Sequence, residues 1–199
     1  MSEYIKIVRA GPSITVLYKG GPGSGNFGHS GRPGEVGGSG EGGGGSEWAD
    51  KLSDNEKSAW HAWVTDSSRI STEQIDVINE SLKKAPDYKG TVFRGRGGLD
   101  EEDLYSIIDK GTIISFDRPQ SFSKSEKIAL TFADKKTYGN EAFVIYKVEM
   151  KTTGKDVSAV NRYGEGEVAS VPGAKYKVTG SEEMKIGEKY GYLVQLEEQ

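Results

Sequence analysis

Three short segments carry residue types that can do chemistry. The first is Phe93-Arg94-Gly95-Arg96, where an arginine leaves the apolar run Thr91-Val92-Phe93 and is followed by glycine. A guanidinium there offers paired donors that suit phosphate, and the glycine lets backbone approach a ligand. A surface ion pair is the plainer use of the same residue. The second segment is Ser121-Phe122-Ser123-Lys124-Ser125-Glu126, running into Ile128-Ala129-Leu130-Thr131-Phe132-Ala133. Ser123 and Glu126 have capping-box spacing, which accounts for one or two of the three serines. In extended backbone Ser121 and Ser123 share a face, so a hydroxyl is left to orient a ligand or a carboxylate. The third is Glu165-Gly166-Glu167, leading into Val168. If Glu167 begins a strand, both carboxylates project to one side, an arrangement suited to polarising and deprotonating a substrate. A solvated loop is the ordinary setting for such a pair. Against that, apolar residues follow the pair only downstream, which puts it where a loop enters a sheet, a usual place for chemistry.

The elements that must position these residues are legible in outline. Asp50 to Thr65 and Ser71 to Lys84 read as helices: Ser53 with Glu56 has capping-box spacing, and Ile75, Ile78 and Leu82 mark a stripe with Pro86 just past the end. Asp100 to Lys110 and Ser125 to Ala133 are two further helices. Short strands are expected at Thr91 to Arg94, Thr112 to Phe116, Ala142 to Met150, Glu167 to Val171, Lys175 to Thr179 and Tyr190 to Leu196. Helices first and then many strands argue for an α+β fold rather than a doubly wound parallel sheet.

Composition narrows the chemistry. The chain has 199 residues and no cysteine, which excludes disulfides, thiolate nucleophiles and cysteine zinc sites. The two histidines, His29 and His61, are far apart and outside any ligand-spaced cluster, so no histidine metal site is expected, while carboxylate-bound ions stay open. A net charge of -4 gives no global field for nucleic acid, and no apolar run approaches the roughly 20 residues of a membrane helix. Of 28 glycines, 14 fall between Gly20 and Gly45, too few apolar side chains to offset backbone entropy. The expected division is therefore a short β segment over 1–19, a flexible linker over 20–46 and a globular domain over 47–199. Glu3 to Val8 and Ser13 to Tyr18 can form two strands around Gly11-Pro12, which need something to pack on.

Taken in order, an arginine ending an early strand, a Ser-x-Ser before a Phe-Ala helix, and a Glu-x-Glu at a late strand form the Arg-Ser-Glu pattern of mono-ADP-ribosyltransferases. The region from Tyr88 to Leu196 resembles the toxin-like, arginine-modifying branch of that family. Ser121 to Ser123 is similar to its Ser-Thr-Ser motif, with Phe122 in the central place. Arg162 to Val178 resembles its turn-turn loop, Glu-x-Glu strand and following strand. The resemblance implies N-terminal helices packed on two antiparallel-rich sheets that form an NAD cleft, with NAD as a substrate. It assigns NAD contacts to Arg94, Gly95, Ser121, Phe122, Ser123 and Glu167. Glu167 would be the catalytic glutamate, held by Ser121, with Arg94 on the phosphates. Glu165 and Tyr163 would receive the acceptor arginine of a target protein. Phe132 is either core or a nicotinamide wall, core being the better reading.

A second resemblance lies in Gly25-Asn26-Phe27-Gly28-His29-Ser30-Gly31-Arg32-Pro33-Gly34-Glu35-Val36-Gly37-Gly38-Ser39, which is similar to a linker of tailed-phage head proteins. It implies a phage head or host protein as partner, with His29 as a recognition residue. The chain would then sit in a virion, in the host bacterial cytoplasm, or leave as an exported toxin. Two other readings are an NAD glycohydrolase on the same fold and a virion structural component with an inactive domain.

Overall fold

Two helices start on serine capping boxes. The computed structural model describes residues 5–10, 13–18, 43–66, 70–161 and 166–199. Helix α1 (Gly43–Asp50) takes in the last residues of the glycine-rich stretch. Helix α2 (Asp54–Asp66) follows Ser53, whose hydroxyl accepts from the Glu56 amide while the Glu56 carboxylate accepts from the Ser53 amide. Helix α3 (Thr72–Leu82) opens with the same reciprocal pair between Ser71 and Gln74. The three helices pack as a lobe around Trp48, Trp60 and Trp63, with Trp60 edge-on to both other indoles. The Trp60 indole donates to Ser81 Oγ at 2.8 Å, which satisfies one buried N–H.

The rest of the chain is β-rich, as an α+β reading requires. The strands are β1 (Ile5–Ala10), β2 (Ser13–Tyr18), β3 (Asp87–Leu99), β4 (Ile113–Phe116), β5 (Gln120–Ser123), β6 (Ala142–Asp156), β7 (Glu167–Ser170), β8 (Lys175–Ile186) and β9 (Lys189–Glu198). Helix α4 (Glu101–Ile108) follows β3, helix α5 (Glu126–Lys135) follows β5, and a one-turn 3-10 helix spans Ser158–Val160. The strand order is β1-β2-β4-β8-β9-β6-β3-β5-β7, with β7 also pairing back onto β6. The two expected sheets are thus joined: long β6 pairs with β9 over Phe143 to Val148 and with β7 over Gly154 to Asp156, while β3 runs along it from Ala142 to Lys155. The N-terminal pair finds its packing partner in this chain, β2 lying parallel to β4.

Strand β6 lies between β3 and β9, which explains its unbroken apolar run. Val144, Tyr146 and Val148 enter the main core, while Phe143 and Ile145 face α5 on the other side. Strand β3 runs much further than Thr91 to Arg94, because its glycines do not stop it. A Cβ at Gly95 would lie 2.0 Å from the Ala129 carbonyl oxygen, and one at Gly97 2.5 Å from that of Ala133. The glycines are what allow α5 to lie directly on the strand. Strands β8 and β9 are longer than expected for a local reason: they form one hairpin that continues past a bulge at Val178/Gly180 to a turn at Gly187.

Candidate functional site

The site is built by the register of two short strands. In the β5–β7 pair Phe122 faces Val168, Ser123 faces Glu167 and Ser121 faces Ala169. Alternation sends Phe122 and Val168 into the main core, the Phe122 ring 6.2 Å from that of Tyr176. The other face carries Ser121, Ser123, Glu167 and Ala169, and Ala169 packs against the helical lobe. Ser121 and Glu167 are diagonal neighbours on that face, within cross-strand reach. The lobe covers it, so Glu167 is only 2% exposed.

A buried carboxylate needs donors. Ser121 Oγ donates to Glu167 Oε1 at 2.5 Å, and Asn161 Nδ2 donates to Oε2 at 2.8 Å. The Trp63 indole N–H lies beside the same group and favours its charged form, but it is not within hydrogen-bond geometry. Burial pushes the Glu167 carboxyl above the usual glutamate range; Ser121, Asn161, Trp63 and the positive charge of Arg94 pull it back only in part. Arg94 itself donates from Nη1 to the Ser121 carbonyl oxygen at 2.7 Å, tying β3 to β5 where the strands share a single register pair, Phe93 with Ser123. At this junction lies a crevice lined by Phe93, Arg94, Gly95, Ser121, Ser123, Ala129 and Phe132. Its interior is about 10 Å³, room for about one water.

The backbone entering β7 is held from several sides. The Lys124 amide donates to the Gly166 carbonyl, and the Val157 amide and Ser158 hydroxyl donate to that of Glu167. Gly166 has φ +58°, a conformation that favours glycine. Lys124 pairs with Asp156 at 2.8 Å and lies over the Tyr88 ring.

The structure therefore brings together Arg94, Gly95, Ser121, Ser123 and Glu167. Tyr163 and Glu165 lie outside the described residues. Phe122 is corrected: its side chain is in the core, on the face away from the crevice, because the strand alternates. Phe132 is both buried and a wall of the crevice. The Ser123–Glu126 capping box does not form; Ser125 is the N-cap of α5, and the Ser123 hydroxyl accepts from the Ser125 amide. The sequence does not single out Asn161 or Trp63. Trp63 reads as part of an apolar helix face, and Asn161 as one more residue before a loop. The only signal at Asn161 is its short distance in sequence from Glu167.

No protein-family model matches the chain, and no curated protein matches it. Solved structures do. The chain is similar to the Vis toxin, an ADP-ribosyltransferase from Vibrio splendidus, at 19% identity over 79% of this chain and 78% of that one, with TM-score 0.60. It is similar to Vis in complex with agmatine at 20% identity over 75% and 76%, with TM-score 0.58. It is also similar to Plx2a, an ADP-ribosyltransferase toxin from Paenibacillus larvae, at 15% identity over 78% and 91%, with TM-score 0.52. The chain has the ADP-ribosyltransferase fold.

Proposed function

We propose that the chain is a mono-ADP-ribosyltransferase that moves ADP-ribose from NAD to arginine side chains of a target protein and releases nicotinamide. The observation that carries this reading is the buried Glu167 carboxylate, held by Ser121 next to the Arg94 crevice. In the proposed reaction the bond between ribose C1′ and the nicotinamide nitrogen breaks, and its electron pair leaves with neutral nicotinamide. The sugar develops positive charge, and Glu167 stabilises it by accepting from the ribose and by its own negative charge. Each carboxylate oxygen has a second lone pair free of Ser121 and Asn161 for that purpose. An arginine nitrogen of the target then bonds to C1′ and gives up a proton. Glu165 takes the positioning and deprotonating role, and Tyr163 offers a face on which guanidinium stacks.

The donor set fits NAD. Arg94 lines the crevice, and its guanidinium, anchored on the Ser121 carbonyl, is the cation there that suits phosphate. Phe93 and Phe132 offer apolar walls to a flat ring, with Gly95 and Ala129 between them. The crevice as it stands, about 10 Å³, is too narrow to take the ring, so the reading requires the crevice to widen on binding. The glutamate two residues before Glu167 supports arginine as the acceptor, and agmatine, bound in the Vis structure, carries the same guanidinium. NAD labelled in its ADP-ribose part, incubated with a bacterial lysate, tests the reading. Glu167→Ala loses both labelling and nicotinamide release, on the order of a hundredfold or more. Glu165→Ala loses labelling and keeps measurable nicotinamide release. Unchanged labelling by Glu167→Ala overturns the assignment.

The division into 1–19, 20–46 and 47–199 belongs to the same proposal, with 20–46 as a tether to a phage head or host protein. The phage-like motif within Gly25 to Ser39 supports carriage in a virion and action in the host bacterial cytoplasm, against export as a toxin. Mass spectrometry of purified particles and of culture supernatant separates these routes.

A further inference from the structure

Ser121 accounts for one oxygen of the Glu167 carboxylate, and a second residue accounts for the other. Asn161 is buried, 4% exposed, and its side-chain amide donates to Glu167 Oε2 at 2.8 Å. Its position is set by a short chain of local bonds. The Asp156 carboxylate accepts from the Ser158 amide at 3.0 Å, starting the one-turn helix Ser158–Val160. The Asn161 amide donates back to the Ser158 carbonyl at 3.2 Å, and Val160 packs on the helical lobe. The turn thus leaves Asn161 with its side chain against Glu167.

We infer that Asn161 is a positioning residue: it fixes the carboxylate oxygen that Ser121 leaves open, so that Glu167 is held in one orientation by donors from two separate segments. With Ser121 alone the carboxylate can rotate about its last bond. With both donors the plane is set, and the free lone pairs face one way.

The charged and polar groups around Glu167 limit what else could do this. Arg94 comes from β3, Ser121 from β5 and Trp63 from α2, and each favours the ionised form. Lys124 and Asp156, at the other side of the β7 entry, are paired with each other. Among the described residues, the donor given to Oε2 is Asn161.

The effect on turnover rests on the proposed reaction, so the experiment reads the carboxylate directly. The full chain is labelled with 13C at glutamate side chains, and the Glu167 carboxyl signal is identified by its loss in Glu167→Gln. Its titration midpoint is followed in wild type, Asn161→Ala and Asn161→Asp, the same spectra reporting folding. In Asn161→Ala the midpoint rises by roughly one pH unit, the worth of a hydrogen bond to a charged group. In Asn161→Asp it rises further, because two carboxylates then share the site. The kcat for nicotinamide release falls about tenfold in Asn161→Ala, KM for NAD stays within about twofold, and the acid limb of the pH profile moves with the midpoint. A folded variant with an unmoved midpoint overturns the inference, as does a fall in kcat with an unmoved acid limb. If the midpoint moves while wild type releases no nicotinamide, the positioning role stands and the proposed reaction falls.

Discussion

Replacing Gly95 by alanine tests whether the contact between β3 and α5 shapes the crevice. The added Cβ would lie 2.0 Å from the Ala129 carbonyl oxygen, 2.9 Å from its carbon and 3.0 Å from the Ala133 amide nitrogen. All three are backbone atoms, so no side chain can turn away. Ordinary contact begins at 3.4 Å, and 3.4 − 2.0 leaves about 1.4 Å of displacement for α5 relative to the strand. Overpacking of a core commonly costs about 1–3 kcal/mol, and a rigid backbone contact sits at the upper end of that range. For a domain of this size, 1 kcal/mol moves Tm by roughly 2–4 °C, so a fall of about 6–12 °C is expected. Ala129 and Phe132 belong to α5 and line the crevice, so nicotinamide release falls as well. Gly180→Ala is the control: nothing lies within 4 Å of its added Cβ and its φ is not positive, so Tm changes by less than about 2 °C. Thermal unfolding and nicotinamide release are measured on all three proteins. A Gly95→Ala variant that melts with wild type, or that loses stability no more than Gly180→Ala does, refutes the packing argument.

Two pH-dependent outcomes follow from buried and clamped carboxylates. Burial raises the Glu167 carboxyl in the folded protein, so the folded state holds its proton more tightly than the unfolded one. Stability is then lost as pH rises from the unfolded value through the raised folded one. Glu167→Gln escapes that loss: its Tm advantage over wild type grows between pH 4 and pH 8, whereas a pH-independent gap counts against the burial argument. Glu198 behaves in the opposite sense. Burial pushes its carboxyl up, but the Thr153 hydroxyl and the amides of Thr153, Lys151 and Thr152 more than offset this and hold it below the usual range. Its stabilisation is present above the ordinary glutamate value and is lost as pH falls through the lowered one. Glu198→Gln is therefore less stable than wild type near neutrality, by about 1 kcal/mol after solvent screening, and the difference closes in acid. A deficit that persists at low pH contradicts the clamp.

What the sequence made legible is what two-residue alternation and helix capping can carry. Ser121 and Ser123 share a face, Glu167 begins a strand and Arg94 leaves one, and once β5 and β7 pair, register alone brings Ser121 to Glu167. The Ser53–Glu56 capping spacing and a cap at Ser71 or Thr72 are local signals, but the expected helix from Asp50 to Thr65 is in fact the end of α1, a break, and α2 from Asp54. The lengths of β3, β6 and β8 were not legible, since they depend on partners distant in the chain. Gly95 and Gly97 look like strand breakers until α5 lies on them. Ser123 and Glu126 have capping spacing, yet β5 continues through Ser123 to pair with Glu167, which shifts the helix start to Ser125. Asn161 and Trp63 were illegible for the same reason: nothing local tells an asparagine before a loop, or an indole on an apolar face, which buried carboxylate it will meet.

The helical lobe does more than cover a sheet. Its Trp48, Trp60 and Trp63 cluster packs with Ala169, whose side chain shares a face of β7 with Glu167, and this contact removes water from the carboxylate. Desolvation alone would leave Glu167 protonated and unable to stabilise a cation. Donors alone, in open solvent, would leave it charged but screened. The site combines the two: Ser121 and Asn161 keep the group ionisable, Arg94 adds positive charge across the crevice, and the low local dielectric strengthens every remaining interaction. On the proposed reaction, that is the condition under which a fixed negative charge acts most strongly on a developing sugar cation. It follows that loosening the lobe at a distance, as in Ser81→Ala, which strands the Trp60 indole N–H, weakens turnover through Glu167 without touching the crevice. Its signature is a Glu167 titration midpoint that falls toward the ordinary glutamate range as water returns, opposite in direction to the shift expected from Asn161→Ala.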